Sequence, residues 1–145
     1  MTKIPDHLTR ITPYLFYKDC DAAIEFLTSA AGFTEEMRMR DSEGTTNHAE
    51  LTLEDQRIML GHPGPDYQSP NDLGGRTQLV YCYVDDVDAH FERARAAGAD
   101  IQSEPEDQFY GDRTYAFRDP EGHAWSFATH VRDVSPQEMQ AATSL

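Results

Sequence analysis

His48 and Glu50 stand two residues apart in the segment HAELTLEDQRIML, residues 48–60. On a strand, that spacing puts both side chains on one face. An imidazole that titrates near neutral pH, next to a carboxylate, can act as a general base with its orienting partner. The same pair can supply two ligands to a metal ion, or serve as polar anchors hydrogen-bonded to Arg113. Arg113, in YGDRTY (110–115), is a candidate clamp for a substrate carboxylate or phosphate, with a salt bridge to Glu50 as the alternative. His123 follows a turn glycine and suits a turn-stabilising role, while His62 and His130 have no partner at ligand spacing. The sequence carries no P-loop, GxGxxG, GxSxG or Cys–His nucleophile pattern, and no cofactor is expected.

The elements that must hold these groups follow from an internal repeat. At an offset of 67 residues, FYKDCDAAIEF (16–26) aligns with YVDDVDAHFER (83–93), and HAELTLEDQRIML with YAFRDPEGHAWSF (115–127). Each half reads as strand, helix and three strands. In the first, ITPYLFYK precedes a helix with Ala23, Phe26, Leu27 and Ala30 at helical spacing, opened by Asp19 and Asp21 and stopped at Gly32. In the second, TQLVYCYV precedes a helix that turns Val87, Phe91 and Ala94 inward and ends at Gly98. Three shorter strands follow each helix, near 35–41, 46–53 and 57–61, then near 99–103, 112–118 and 124–130. The domain reading is a first module over 1–61, a linker over 62–76 (HPGPDYQSPNDLGGR), a second module over 77–131 and a tail over 132–145. In the tail, Ser135, Pro136 and Glu138 predict a short helix.

Alternation along the strands sorts side chains into two faces. The helices need apolar cover, which Ala49, Leu51, Leu53, Ile58, Leu60, Trp125 and Phe127 supply. The other face then carries Tyr14, Phe16, His48, Glu50, Tyr81, Tyr83 and Ser126, and the offset adds Arg113, Tyr115 and Phe117. Aromatic walls with few polar anchors describe a small-molecule cavity that stacks planar ligands and attracts cations. The Asp119, Glu121 and Gly122 turn in RDPEGHAWSF is expected to do nothing beyond turning the chain.

Composition bounds the rest. A chain of 145 residues suits one domain or two small modules sharing a core. A formal charge of −14 argues against nucleic acid as a partner and permits a cationic ligand. The chain has no apolar run long enough to span a membrane, and its polar, Pro-containing start does not read as a signal peptide, so a cytoplasmic protein with no membrane partner is expected. Cys20 and Cys82 are expected to be free, buried thiols.

Four segments in order, TPYLFYKDCDAAIEFL, HAELTLEDQRIML, YVDDVDAHFERARAAGAD and YGDRTYAFRDPEGHAWSF, resemble the vicinal oxygen chelate superfamily, which includes glyoxalase I, extradiol dioxygenases, and fosfomycin- and bleomycin-resistance proteins. The resemblance implies an α+β fold of two tandem βαβββ modules whose sheets curl around a cavity, in a homodimer. It also implies where metal ligands would stand: Thr12, Met59, Leu79 and Ser126. None of these carries an imidazole or carboxylate, so no metal site is expected there. The expected function is metal-free binding of an aromatic or cationic compound, in the manner of the bleomycin-resistance branch. The ligand-binding set is Tyr14, Phe16, His48, Glu50, Tyr81, Tyr83, Arg113, Tyr115, Phe117 and Ser126. The alternative is a metal-dependent lyase, isomerase or dioxygenase with His48 and Glu50 as catalytic groups at an off-pattern site.

Overall fold

Residues 3–143 are described by a computed structural model. The first half runs β1 (Tyr14–Phe16), α1 (Cys20–Ala31), β2 (Thr34–Arg40), β3 (Thr46–Leu53) and β4 (Gln56–Gly61). A four-residue helix, α2 (Pro70–Leu73), interrupts the connection. The second half runs β5 (Leu79–Tyr83), α3 (Val87–Ala96), β6 (Asp100–Asp107), β7 (Asp112–Arg118) and β8 (Ala124–His130), followed by α4 (Pro136–Thr143). The fold is α+β, with two separate four-stranded sheets of order β1-β4-β3-β2 and β5-β8-β7-β6. In each, the opening strand lies parallel to the last and the other pairs are antiparallel.

The repeat is visible in the helix caps. Asp19 accepts a hydrogen bond from the Ala22 amide and Asp86 one from the Ala89 amide, so both helices start on the same side-chain device. Their apolar stripes meet in a shared core. Ile24 and Leu27 of α1 lie in one cluster with Phe91 of α3, Leu51 and Leu60 of the first sheet, and Trp125 and Phe127 of the second. Phe26 meets Phe117 edge-on at 5.3 Å, and Phe33 meets Trp125 at 5.7 Å. Arg93 of α3 donates to the Thr28 and Ser29 carbonyls at the C-terminal end of α1, and His90 Nε2 donates to the Ala31 carbonyl. Carbonyls that a helix end leaves unpaired thus find partners in the other module.

The second sheet corrects the expected faces. Tyr115 lies opposite Phe127 and Phe117 opposite Trp125, so all four share the helix side and are fully buried. Arg113 shares their parity and bonds Asp88 on α3 and Asp107 on β6, each at 3.1 Å, rather than Glu50. The cause is the hairpin loops. Two residues join Leu53 to Gln56, and five join Arg118 to Ala124. Leu60 and Phe127 are 67 apart, but their partners Ala49 and Tyr115 are 66 apart. A slip of one residue exchanges the two faces of a strand. Arg113, Tyr115 and Phe117 therefore leave the candidate ligand wall, and Asp112, Thr114 and Ala116 take their place.

The turn within RDPEGHAWSF also has more to do than expected. It seats on the first module. Asp119 Oδ2 accepts from the Tyr17 hydroxyl at 2.6 Å and from Trp125 Nε1 at 3.1 Å, while Oδ1 accepts the amides of Glu121 and His123. The Glu121 carboxylate takes the amides of Lys18 and Asp19 at 2.7 and 2.9 Å, and His123 Nε2 donates to the Phe16 carbonyl at 2.8 Å. Gly122 has φ +95, and a Cβ there would come within 2.2 Å of Asn71 Oδ1. These contacts hold β1 and the start of α1 against the second sheet.

Candidate functional site

Because the helix-covered sides of both sheets meet in one core, their open sides point away from it. On the first, β1 presents Tyr14 and Phe16, β3 presents His48 and Glu50, and β4 presents Arg57, Met59 and Gly61. Gly61 has a steric reason: a Cβ there would come within 2.6 Å of the Tyr14 ring. Without one, the ring lies across β4 and its hydroxyl reaches His48 Nδ1 at 2.9 Å. His48 Nε2 meets Glu50 Oε2 at 3.1 Å, and Arg57 donates to Glu50 Oε1 at 2.8 Å. The His48 bond, with Arg57 adding to it against the cost of burial, holds the Glu50 pKa below its usual value. An ionised carboxylate only accepts, so Nε2 carries the imidazole proton. In the neutral ring Nδ1 then accepts from the Tyr14 hydroxyl. Burial first, then the neighbouring Cys20 and Glu50, raises the Tyr14 pKa, so this phenol stays protonated at neutral pH.

His48 and Glu50 thus share a face and a bond, as their spacing predicts. Their cationic partner is Arg57, which sequence reasoning missed. Glu50 pairs with Met59 and Thr52 with Arg57, so Arg57 is the diagonal cross-strand neighbour of Glu50, a relation readable only once the two-residue turn is fixed.

The second open face carries Leu79, Tyr81, Tyr83, Ser126 and Asp112. The Tyr81 and Tyr83 hydroxyls both donate to Asp112 Oδ2, at 2.6 and 2.8 Å. Asp112 Oδ1 meets His130 Nδ1 at 2.9 Å, and His130 Nε2 meets Asp133 Oδ1 at 2.7 Å. Ser126 stands opposite Tyr81 with Ala116 on its other side. His130, expected to lack a partner beyond the last strand, instead ends β8 between two carboxylates. Asp112 was missed because the one-residue slip assigned it to the wrong face.

This cluster gives a pH dependence. Asp133 and Asp112 raise the His130 pKa. Burial opposes the Asp112 charge, but the bonds from Tyr81, His130 and Tyr83 outweigh it and leave its pKa lowered. The raised histidine contributes stability that is complete below its unfolded value of about 6.5 and is lost as pH rises through the folded value. The lowered aspartate contributes stability present above about 3.9 and lost as pH falls through its folded value. The pair therefore stabilises most between about pH 4 and 6.5. In urea titrations at about pH 6 and about pH 8, the wild type is expected to lose stability across the interval and His130→Gln to lose less; equal losses would contradict this assignment.

The positions where the resemblance implies metal ligands hold no suitable donors. Thr12, Met59, Leu79 and Ser126 offer a divalent cation neither imidazole nor carboxylate. Both ring nitrogens of His48 are already engaged, by Tyr14 and Glu50. Among the described residues, no group of three or more His, Cys, Asp and Glu side chains is set to hold a metal ion.

The open faces are walls rather than the enclosed cavity expected from the sequence. Tyr14, Phe16, Tyr81 and Tyr83 remain 45, 47, 40 and 60% exposed. A cleft of about 430 Å³ lies between the β3–β4 turn and β5, lined by Ile11, Phe33, Ile58 and Val80 and by Tyr81 and Tyr83 among others. Among the described residues, no helix is long and apolar enough to cross a membrane.

Comparison with known proteins places this architecture. The family described as the Glyoxalase/Bleomycin resistance protein/Dioxygenase superfamily matches residues 4–127. An uncharacterized protein of Mycobacterium bovis is 37% identical over 139 residues, spanning 92% of this chain and 91% of that one. The crystal structure of TioX from Micromonospora sp. ML1 superposes with a TM-score of 0.70 at 36% identity, covering 85% of this chain and 99% of that one. A glyoxalase/bleomycin resistance protein/dioxygenase from Nocardioides shares the fold, with a TM-score of 0.65 at 23% identity over 94% of this chain and 90% of its own. With the tandem βαβββ modules, the repeated Asp caps and a family match over most of its length, the chain belongs to the glyoxalase/bleomycin resistance protein/dioxygenase superfamily.

Proposed function

We propose that the protein binds an aromatic or cationic small molecule without a metal, and that it does so as a homodimer in the cytoplasm. The observation that carries this reading is the set of four large aromatic side chains left exposed on the open faces, Tyr14 and Phe16 on one and Tyr81 and Tyr83 on the other. Ordered rings of this kind are half a binding site: they offer flat apolar area and electron-rich faces, and they lack a lid. Within one chain the two faces point away from the shared core and cannot close on one ligand. A second copy supplies the missing wall, the first module of one chain facing the second module of its partner across a two-fold axis. The net charge of −14 favours a cation, and the two free thiols suit a reducing compartment. Sequestering a planar, positively charged drug fits these features, which would make the protein a resistance factor.

Titration with a planar cationic dye such as proflavine tests the reading by dye fluorescence. Saturable binding is expected, about five- to tenfold weaker in Tyr81→Ala and little changed in Tyr81→Phe, because the ring rather than the hydroxyl carries the contact. No saturable binding of proflavine, or equal affinity in wild type and Tyr81→Ala, would count against it.

A further inference from the structure

We propose that Tyr14, His48 and Glu50 form a proton relay that makes the Tyr14 hydroxyl a nucleophile toward aryl esters of short carboxylic acids, giving the protein an acyl-transfer activity. The order of groups is that of a nucleophile, its base and the base's orienting carboxylate. The Tyr14 hydroxyl lies 2.9 Å from His48 Nδ1, and His48 Nε2 lies 3.1 Å from Glu50. This is the arrangement by which a weak nucleophile is activated without being ionised in the resting state. Arg57, bonded to the other Glu50 oxygen, fixes the carboxylate and through it the ring. Gly61 leaves room for the phenol to lie in line.

Neighbouring groups set the substrate class. Phe16 is 5.7 Å from the Tyr14 ring, and Met39 pairs opposite His48 on β2 and is half exposed. A flat aromatic leaving group suits that surface. The two exposed phenols on the other sheet provide the contrast. Tyr81 and Tyr83 donate directly to the Asp112 carboxylate, which is too weak a base to take a phenolic proton, and no imidazole stands between.

In the reaction, Tyr14 Oη bonds to the acyl carbon while its proton passes to His48 Nδ1, and Glu50 stabilises the imidazolium. The bond from the acyl carbon to the aryloxy oxygen breaks, and the leaving phenol takes the proton from Nδ1. A water molecule then adds to the acyl-tyrosine, giving a proton to Nδ1. The Tyr14 Oη–acyl bond breaks, the tyrosine regains the proton, and a carboxylic acid leaves. Ester and water are consumed, and phenol and acid are formed, with no change of oxidation state.

The assignment does not depend on the binding reading. The test is p-nitrophenyl acetate on the full chain, followed by release of p-nitrophenol and by peptide mass spectrometry of acetylated tyrosines. Tyr14 is expected to acetylate at least about a hundredfold faster than Tyr81 or Tyr83 in the same sample. His48→Gln and Glu50→Gln should each remove most of that advantage, and in the wild type alone labelling should proceed well below the pH at which a phenol ionises. Because Tyr81 in the same chain is the reference, a variant that is partly unfolded still gives a readable ratio. Equal labelling of Tyr14 and Tyr81, or a ratio unchanged in His48→Gln, would overturn the proposal. So would undiminished p-nitrophenol release by Tyr14→Phe, since His48 would then be the attacking group.

Discussion

Asp119→Ala is expected to lower stability by about 3–5 kcal/mol, through several donors losing their acceptor at once. Asp119 is 4% exposed and accepts from the Tyr17 hydroxyl, the Trp125 indole and two turn amides. Tyr17 and Trp125 are fully buried, so their polar hydrogens have no water to turn to. Each stranded buried donor costs about 1–3 kcal/mol. For a chain of this size the loss corresponds to a fall of about 10–16 °C in melting temperature. Asp119→Asn, which keeps one oxygen, should cost less. The unequal cost would separate the lost acceptor from disruption of the turn, and a melting temperature within about 2 °C of wild type for Asp119→Ala would show that the two modules do not depend on this contact.

Phe117→Ala should cost a similar amount, about 3–5 kcal/mol, by leaving a cavity in the shared core. Its ring is fully buried and packs on Phe26 of α1 at 5.3 Å and Phe127 at 5.1 Å. The same substitution separates two pictures of the second sheet. Were Phe117 on the ligand wall, as the offset of 67 places it, truncation would weaken dye binding and leave stability nearly unchanged. With Phe117 in the core, guanidinium denaturation should report the loss, and the affinity of the remaining folded protein should match wild type.

This contrast marks where the sequence is legible. Helix starts at Asp19 and Asp86, the alternation on β3 that puts His48 beside Glu50, and the helix-facing Trp125 and Phe127 follow from local pattern, which acts over a few residues. The parity of β7 does not, because it depends on how many residues the β7–β8 turn consumes, and a thin repeat cannot count them. One residue of error moved Arg113, Tyr115 and Phe117 to the wrong face and hid Asp112. The roles of Asp119 and Glu121 were out of reach for another reason. Their partners, Tyr17 and the amides of Lys18 and Asp19, are about a hundred residues away in sequence and meet them only when the modules dock. The open faces are half legible in the same way: alternation finds their aromatic residues, but nothing local says what would cover them.

In the proposed homodimer each binding site takes its walls from two chains, Phe16 from one and Tyr81 from the other. Mixing two defective variants tests this arrangement. Phe16→Ala and Tyr81→Ala are each expected to bind proflavine weakly. After the two proteins are mixed and allowed to exchange subunits, random pairing gives half mixed dimers, each with one intact site and one doubly defective site. High-affinity binding should therefore return to about a quarter of the wild-type sites. A mixture that binds no better than the average of its two components would contradict the account, because each chain would then be building its site alone.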